Sequence, residues 1–188
     1  MSNTGRFSLI YKILGAITLM LALLVLGAWN LHTTVRAEHT FNAPIADIWR
    51  VWNDADSIQK WWGPKGYTAL VVRNDMREGG SYLWGMKSGA MKSAQGKIFW
   101  STGTYKEVVV NKKVVSTMSF ANEDGKTIPG SQVSVPGKWP DEITVIVEFG
   151  ESEGKARVTV AEVGIPLIVY PLSKIGWAQQ FDKIQMLL

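Results

Sequence analysis

The first apolar pattern in the chain is an unbroken one. From Ile13 to Trp29 the sequence ILGAITLMLALLVLGAW runs for 17 residues without a charge. Ile10 and Tyr11 before Lys12, with Asn30 and Leu31 after Trp29, extend it to the ~20 residues that cross a bilayer core. A charge at its centre would cost about 2.5–3.5 kcal/mol on insertion scales, so a run without one is informative. Tyr11 and Trp29 stand near the two ends, where aromatic rings favour the membrane interface. The alternative is a cleaved signal peptide, with small residues around Val35-Arg36-Ala37. Against it, the run exceeds the usual ~7–15 residues and Ala37 lies well beyond Trp29. The segment is read as an uncleaved anchor.

Beyond the anchor the pattern changes to short periods. Val35, Ala37, His39 and Phe41 alternate with Arg36, Glu38 and Thr40, which predicts a half-buried strand. Pro44 opens a short helix from its first turn, where the missing N–H costs nothing. Ile45, Ile48, Trp49 and Trp52 then form one stripe at helical spacing. Asp54 is the expected N-cap of a second short helix that turns Ile58, Trp61 and Trp62 inward, and Gly63-Pro64 ends it. The stretch from Thr68 to Gly164 reads as antiparallel sheet, with strands at Thr68–Asn74, Ser81–Met86, Ile98–Val109, Lys113–Ala121, Ile143–Phe149 and Lys155–Val163. Turns at Glu78-Gly79-Gly80, Asn111-Lys112 and Glu153-Gly154 separate several of them. The segment from Asn122 to Glu142 is too long for a plain connection and is read as a lid or pocket rim. Helical period returns from Leu172 to Leu188, with Trp177, Phe181, Ile184 and Leu188 on one face.

One strand, two small helices, a run of strands and a long terminal helix make an α+β order. A curved antiparallel sheet around the C-terminal helix satisfies it and leaves a cavity between helix and sheet. Residues 1–31 are read as an N-terminal stub with a transmembrane helix. Residues 32–188 are read as one domain, long enough to bury a core of its own.

Composition narrows the chemistry. The absence of cysteine excludes disulfides, thiolate catalysis and Cys-based metal sites. Of the 20 Lys and Arg, Arg6 and Lys12 lie in the first 31 residues, which hold no acid; the remainder has 18 basic against 16 acidic residues, or +2. No basic block stands out there, so nucleic acid is not an expected partner. The positive flank of the apolar run is the N-terminal one, while Arg36 and Glu38 nearly cancel after it. Positive-inside reasoning then puts the N-terminus in the cytoplasm and the domain outside it.

The pattern FNAPIADIWRVWND…WWGP, then VRNDMREGGSY, GTYKEVV and GWAQQFDKIQMLL, resembles the homologues of the heat-shock-protein ATPase activator, within the SRPBCC (START-like) superfamily. The resemblance covers about Ala37 to Leu188 and implies a START-like helix-grip fold with an internal apolar cavity. The N-terminal membrane segment is not part of the family pattern, and the stretch from Gly164 to Gly176 is short for it.

Candidate chemistry is sparse. Of two histidines, His32 adjoins the membrane run, and His39 shares a strand face with Ala37 and Phe41, as a core histidine or a ligand contact. Zinc ligation would need carboxylates alone, and no Gly-rich phosphate loop or nucleophile elbow occurs. Glu162 follows the alternation of Val158 and Val160, and Glu107 that of Tyr105 and Gly103. A carboxyl facing inward would have a raised pKa; the plainer reading leaves both paired or solvated at strand ends. Asp75 and Arg77 are expected to fix the turn before Gly79-Gly80.

Tryptophan is the strongest compositional signal, with nine in the chain. Trp49, Trp52 and Trp61 read as core. Trp62, Trp84, Trp100, Trp139 and Trp177 cannot all be core without partners for their N–H groups, so some should line a cavity. Trp84, Tyr105, Trp139, Trp177 and Phe181 are the expected walls, with His39 or Glu162 as the polar contact.

Three functions follow in order. The first is a membrane-tethered domain binding a hydrophobic small molecule or lipid, such as an isoprenoid drawn from the adjacent bilayer. The second is a protein-interaction module acting as a chaperone (heat-shock ATPase) co-factor, by family analogy. The third is an enzyme using the cavity for cyclisation or hydrolysis, for which no catalytic constellation is visible. No cofactor or metal is expected.

Overall fold

A computed structural model describes residues 3–89 and 96–188. The chain opens with α1 (Asn3–Asn30), followed by β1 (His32–Phe41), α2 (Ile45–Asn53) and α3 (Ala55–Trp61). Six further strands come next: β2 (Tyr67–Asn74), β3 (Ser81–Ser88), β4 (Ile98–Val109), β5 (Lys113–Ala121), β6 (Ile143–Ser152) and β7 (Lys155–Pro166). Helix α4 (Tyr170–Gln185) ends the order, and single 3-10 turns stand at Gly130–Gln132 and Leu167–Val169.

The local causes are those the sequence implies. The α2 stripe buries Ile48, Val51 and Trp52. Asp54 caps α3, accepting the Ser57 backbone N–H at 2.8 Å and its hydroxyl at 2.6 Å. Every strand pairing is antiparallel, in the order β1-β7-β6-β5-β4-β3-β2. Register shifts at Thr33/Thr34, Val71/Arg73 and Tyr105/Glu107 bend this sheet, because an extra residue on one strand kinks it and adds twist. At Gly103 a Cβ would stand 1.9 Å from the Thr117 carbonyl oxygen, so only glycine allows β4 to approach β5 there.

The curved sheet grips α4, which packs on β1 and on α3. Its C-terminal half supplies Trp177, Phe181 and Ile184 to a core shared with Phe41, Ile48, Trp52, Trp61, Val147, Phe149, Val158 and Val160. Three α4 side chains also hold the turn after α3. Gln180 accepts the Gly63 N–H at 2.9 Å, Gln179 accepts the Lys65 N–H at 2.8 Å, and Lys183 donates to the Gly63 carbonyl at 2.7 Å. Gly63 and Gly66 adopt φ of 87° and 85°, left-handed values that favour glycine. This is an α+β helix-grip architecture of the START-like kind.

Two expectations are corrected here. Helix α4 stops at Gln185, so Leu188 leaves the helical stripe and is 42% exposed, while Leu187 packs against the core instead. Glu107 does not continue the face of Tyr105, because the register shift between them breaks the alternation. It forms a half-exposed ion pair with Lys113 at 2.9 Å.

In α1, Ile10–Asn30 has mean hydropathy 2.2, and none of it is fully buried by the rest of the protein. It is a helix long and apolar enough to cross a membrane.

Phe181→Ala should cost about 3–5 kcal/mol of stability, the usual penalty for truncating a buried aromatic ring. Leu188→Ala should stay within about 0.5 kcal/mol. Urea unfolding followed by tryptophan fluorescence checks both, and equal effects would contradict the packing described.

Candidate functional site

The N-terminal half of α4 reaches β1 and β7 but stands off β3–β5. Between it, the inner face of β3–β5 and the 122–142 loop lies a cavity of about 300 Å³. A smaller space of about 50 Å³ lies deeper, and the two share Trp62, Met118, Glu162 and Trp177 as common wall. On α4, Ser173, Gly176, Trp177 and Gln180 all face the larger cavity, at i, i+3, i+4 and i+7. The opposite walls are Met86, Phe99, Trp100, Met118 and Phe120 from the sheet, with Val135 and Trp139 from the loop. Gly85 makes room for Trp100, since a Cβ there would stand 2.8 Å from its ring.

Among the described lining residues of either space, Glu162 is the one carboxyl, and no Lys, Arg or His joins it. It follows Val158 and Val160 on the inward face of β7, at the point where packed core gives way to open space. Ser173 donates its hydroxyl to the Glu162 carboxylate at 2.7 Å. Burial pushes the Glu162 carboxyl above the usual value of 4.5, and hydrogen bonds from Ser173 and Trp177 pull it partly back. Of the two carboxylates singled out in the sequence, Glu162 is therefore desolvated inside the fold and Glu107 is not. A carboxyl in that condition holds its proton more tightly than a solvated one.

The other predicted site residues divide into three groups. Trp139 and Trp177 line the large cavity. The Trp139 N–H donates to the Pro136 carbonyl at 2.8 Å and its ring meets Phe120 edge-on at 5.0 Å, which folds the loop over the cavity. Trp84 and Tyr105 line only the small one. The Tyr105 hydroxyl donates to Asn74 at 2.6 Å, and burial pushes its pKa up, so it stays neutral. Phe181 and His39 line neither. They stack on each other at 5.6 Å, beside Phe41, where α4 packs on β1. Gln180, the residue before Phe181, still lines the cavity, so Phe181 leaves it by the rotation of the helix and faces β1 instead.

Sequence periodicity misses Gly176 and Ser173, whose roles depend on where α4 docks. Trp62 and Trp100 are among the tryptophans whose N–H groups argued for a cavity, and both line it. Trp61 satisfies its N–H on the Val51 carbonyl at 3.0 Å. Those of Trp62 and Trp84 are buried without a hydrogen-bond partner, their rings packed edge-to-face 4.9 Å apart. Among the described residues no three His, Asp or Glu side chains gather as a metal site would need.

Residues 42–188 match the family model described as Activator of Hsp90 ATPase homolog 1-like protein. No curated protein matches the sequence. Solved structures share the fold. A protein of Chromobacterium violaceum aligns with TM-score 0.67 at 21% identity, over 82% of this chain and 95% of its own. A Mycobacterium smegmatis protein aligns with TM-score 0.66 at 23% identity, over 82% and 90%. The AHSA1 protein of Silicibacter pomeroyi aligns with TM-score 0.63 at 18% identity, over 82% and 96%.

Because the folded Glu162 binds its proton more tightly than the unfolded one, its ionisation works against the fold. That contribution is absent below the ordinary value of 4.5 and grows as pH rises toward the raised folded value. The stability of Glu162→Gln should therefore gain on the wild type as pH rises from acid to neutral. Urea midpoints across that range check it, and a pH-independent difference would contradict a desolvated carboxyl.

Proposed function

From the premise that the chain belongs to the Activator of Hsp90 ATPase homolog 1-like family, we propose that it is a membrane-anchored binding protein. Its α4–sheet cavity holds one apolar small molecule or lipid. The observation that carries this reading is the cavity itself: about 300 Å³, open, walled by aromatic and aliphatic side chains, with one carboxyl inside. That is the ordinary makeup of a small-molecule site, at the small end of its size range. Glu162 with Ser173 supplies the polar contact, suited to a hydroxyl or carbonyl on an otherwise apolar ligand. Residues 1–31 act as stub and anchor, with the N-terminus cytoplasmic and residues 32–188 on the other side, as the charge flank implies.

A second reading is favoured by the family match: a co-factor that engages a heat-shock ATPase. The comparisons speak for it more directly than for a small ligand, since this is the function the matching description names. The geometry speaks for the cavity. Use of the cavity for catalysis has less support, because Glu162 has no second carboxyl, His or Lys beside it among the described lining residues.

Native mass spectrometry of the detergent-purified full chain separates the two. The ligand reading expects a bound apolar mass that Glu162→Leu or a bulky wall substitution removes. An empty protein that stimulates a heat-shock ATPase would replace it with the co-factor reading.

A further inference from the structure

The end of α1 and the mouth of the cavity occupy the same corner of the molecule. The Lys138 N–H donates to the Trp29 carbonyl at 3.0 Å, and the Leu167 N–H donates to the Leu31 carbonyl at 2.7 Å. His32 bonds through its ring to the Lys138 carbonyl at 2.7 Å. Gly27 and Ala28, half-buried, lie where α1 packs on the Leu167–Val169 turn. These two anchored segments are also the rim of the cavity. Among its lining residues the exposed ones are Ser134, Pro136 and Leu172. Pro136 lies two residues from Lys138, at most about 7 Å along the chain.

Depth follows from length. Ile10–Asn30 counts 21 residues. At 1.5 Å per residue it is about 32 Å long, which matches a hydrocarbon core of about 30 Å. Trp29 then sits at the interface, and a segment within about 10 Å of its carbonyl lies at headgroup level. The exposed side chains at this corner suit that level. Leu167, Tyr170, Leu172 and Ile175 are 39%, 37%, 60% and 54% exposed. Lys138 stands exposed among them and can meet lipid phosphates.

We propose that the cavity opens onto the lipid bilayer: α1 holds its mouth against the membrane, and Leu172, Ile175, Leu167 and Tyr170 dip into the headgroup layer. An apolar ligand then passes between membrane and cavity without crossing bulk water. This deepens the binding reading above and rests on its membrane anchor.

The chain has no cysteine, so single-cysteine variants carry a fluorophore without background. Leu172→Cys and Ile175→Cys report on the rim. Lys155→Cys is the control, eleven residues along β7 from Pro166 and so about 36 Å away. Each full-length variant is labelled with a polarity-sensitive nitrobenzoxadiazole dye and reconstituted in phosphatidylcholine vesicles, with and without spin-labelled phosphatidylcholine. The expected result is blue-shifted emission and several-fold stronger lipid quenching at 172 and 175 than at 155. Equal, water-like signals at all three sites in chains that float with the vesicles overturn the docking while leaving the ligand reading to its own mass measurement. Chains that do not float with vesicles overturn the anchor and this proposal together. A rim that is water-exposed on vesicles but shielded on adding a heat-shock ATPase gives the face to a protein partner and overturns it too.

Discussion

Helix α4 is fixed by backbone groups of a single turn. Gln180 and Gln179 accept the N–H groups of Gly63 and Lys65, and Lys183 donates a hydrogen bond to the Gly63 carbonyl. Polar backbone in a part-buried turn must find partners, and here the helix supplies them. The two left-handed glycines make that turn possible, and partial burial lowers the pKa of the Lys183 ammonium that completes it. With α4 held at this turn and along β1, its first half cannot settle onto β3–β5. The cavity is what remains.

Trp177 marks the division. Its ring lies nearly parallel to Trp52 on the core side and meets Trp62 at the cavity side, at 6.2 and 6.3 Å. Beyond it Phe181 and Ile184 pack in the core while Gln180 still lines the cavity, and before it α4 presents Gly176 and Ser173 to open space. The same helix therefore stabilises the fold with one face and shapes a site with another. Glu162 sits at this boundary, close enough to the core to be desolvated and close enough to the cavity to reach its contents.

Much of the architecture was legible in the chain. Period-two runs gave the limits of β4 and β5 to the residue, and the Asp54 cap and the Gly-bearing turns fell where their chemistry requires. What periodicity could not give was a one-residue change of register or a helix's depth. The shift after Tyr105 turned Glu107 outward, and the early stop of α4 left Leu188 off its stripe. His39 and Phe181 have the right spacing for a cavity wall, but they stack on each other between α4 and β1, a contact set by the rotation of α4 on the sheet. Glu162 was reachable by alternation alone. Its desolvation was not, because that depends on Ser173 and Trp177 arriving from the far end of the chain.

The account stands or falls on whether the space beside α4 is a site. Gly176 allows a direct test, since a Cβ there would meet nothing within 4 Å and the residue lines the cavity. Gly176→Leu fills that space from within while replacing a helix-weakening residue with a helix former, a change of about 0.5–1 kcal/mol in the fold's favour. Binding of an apolar fluorescent dye, measured beside the unfolding midpoint, gives the answer. The account predicts lost binding with unchanged or higher stability; full dye binding by a stable Gly176→Leu protein would contradict it.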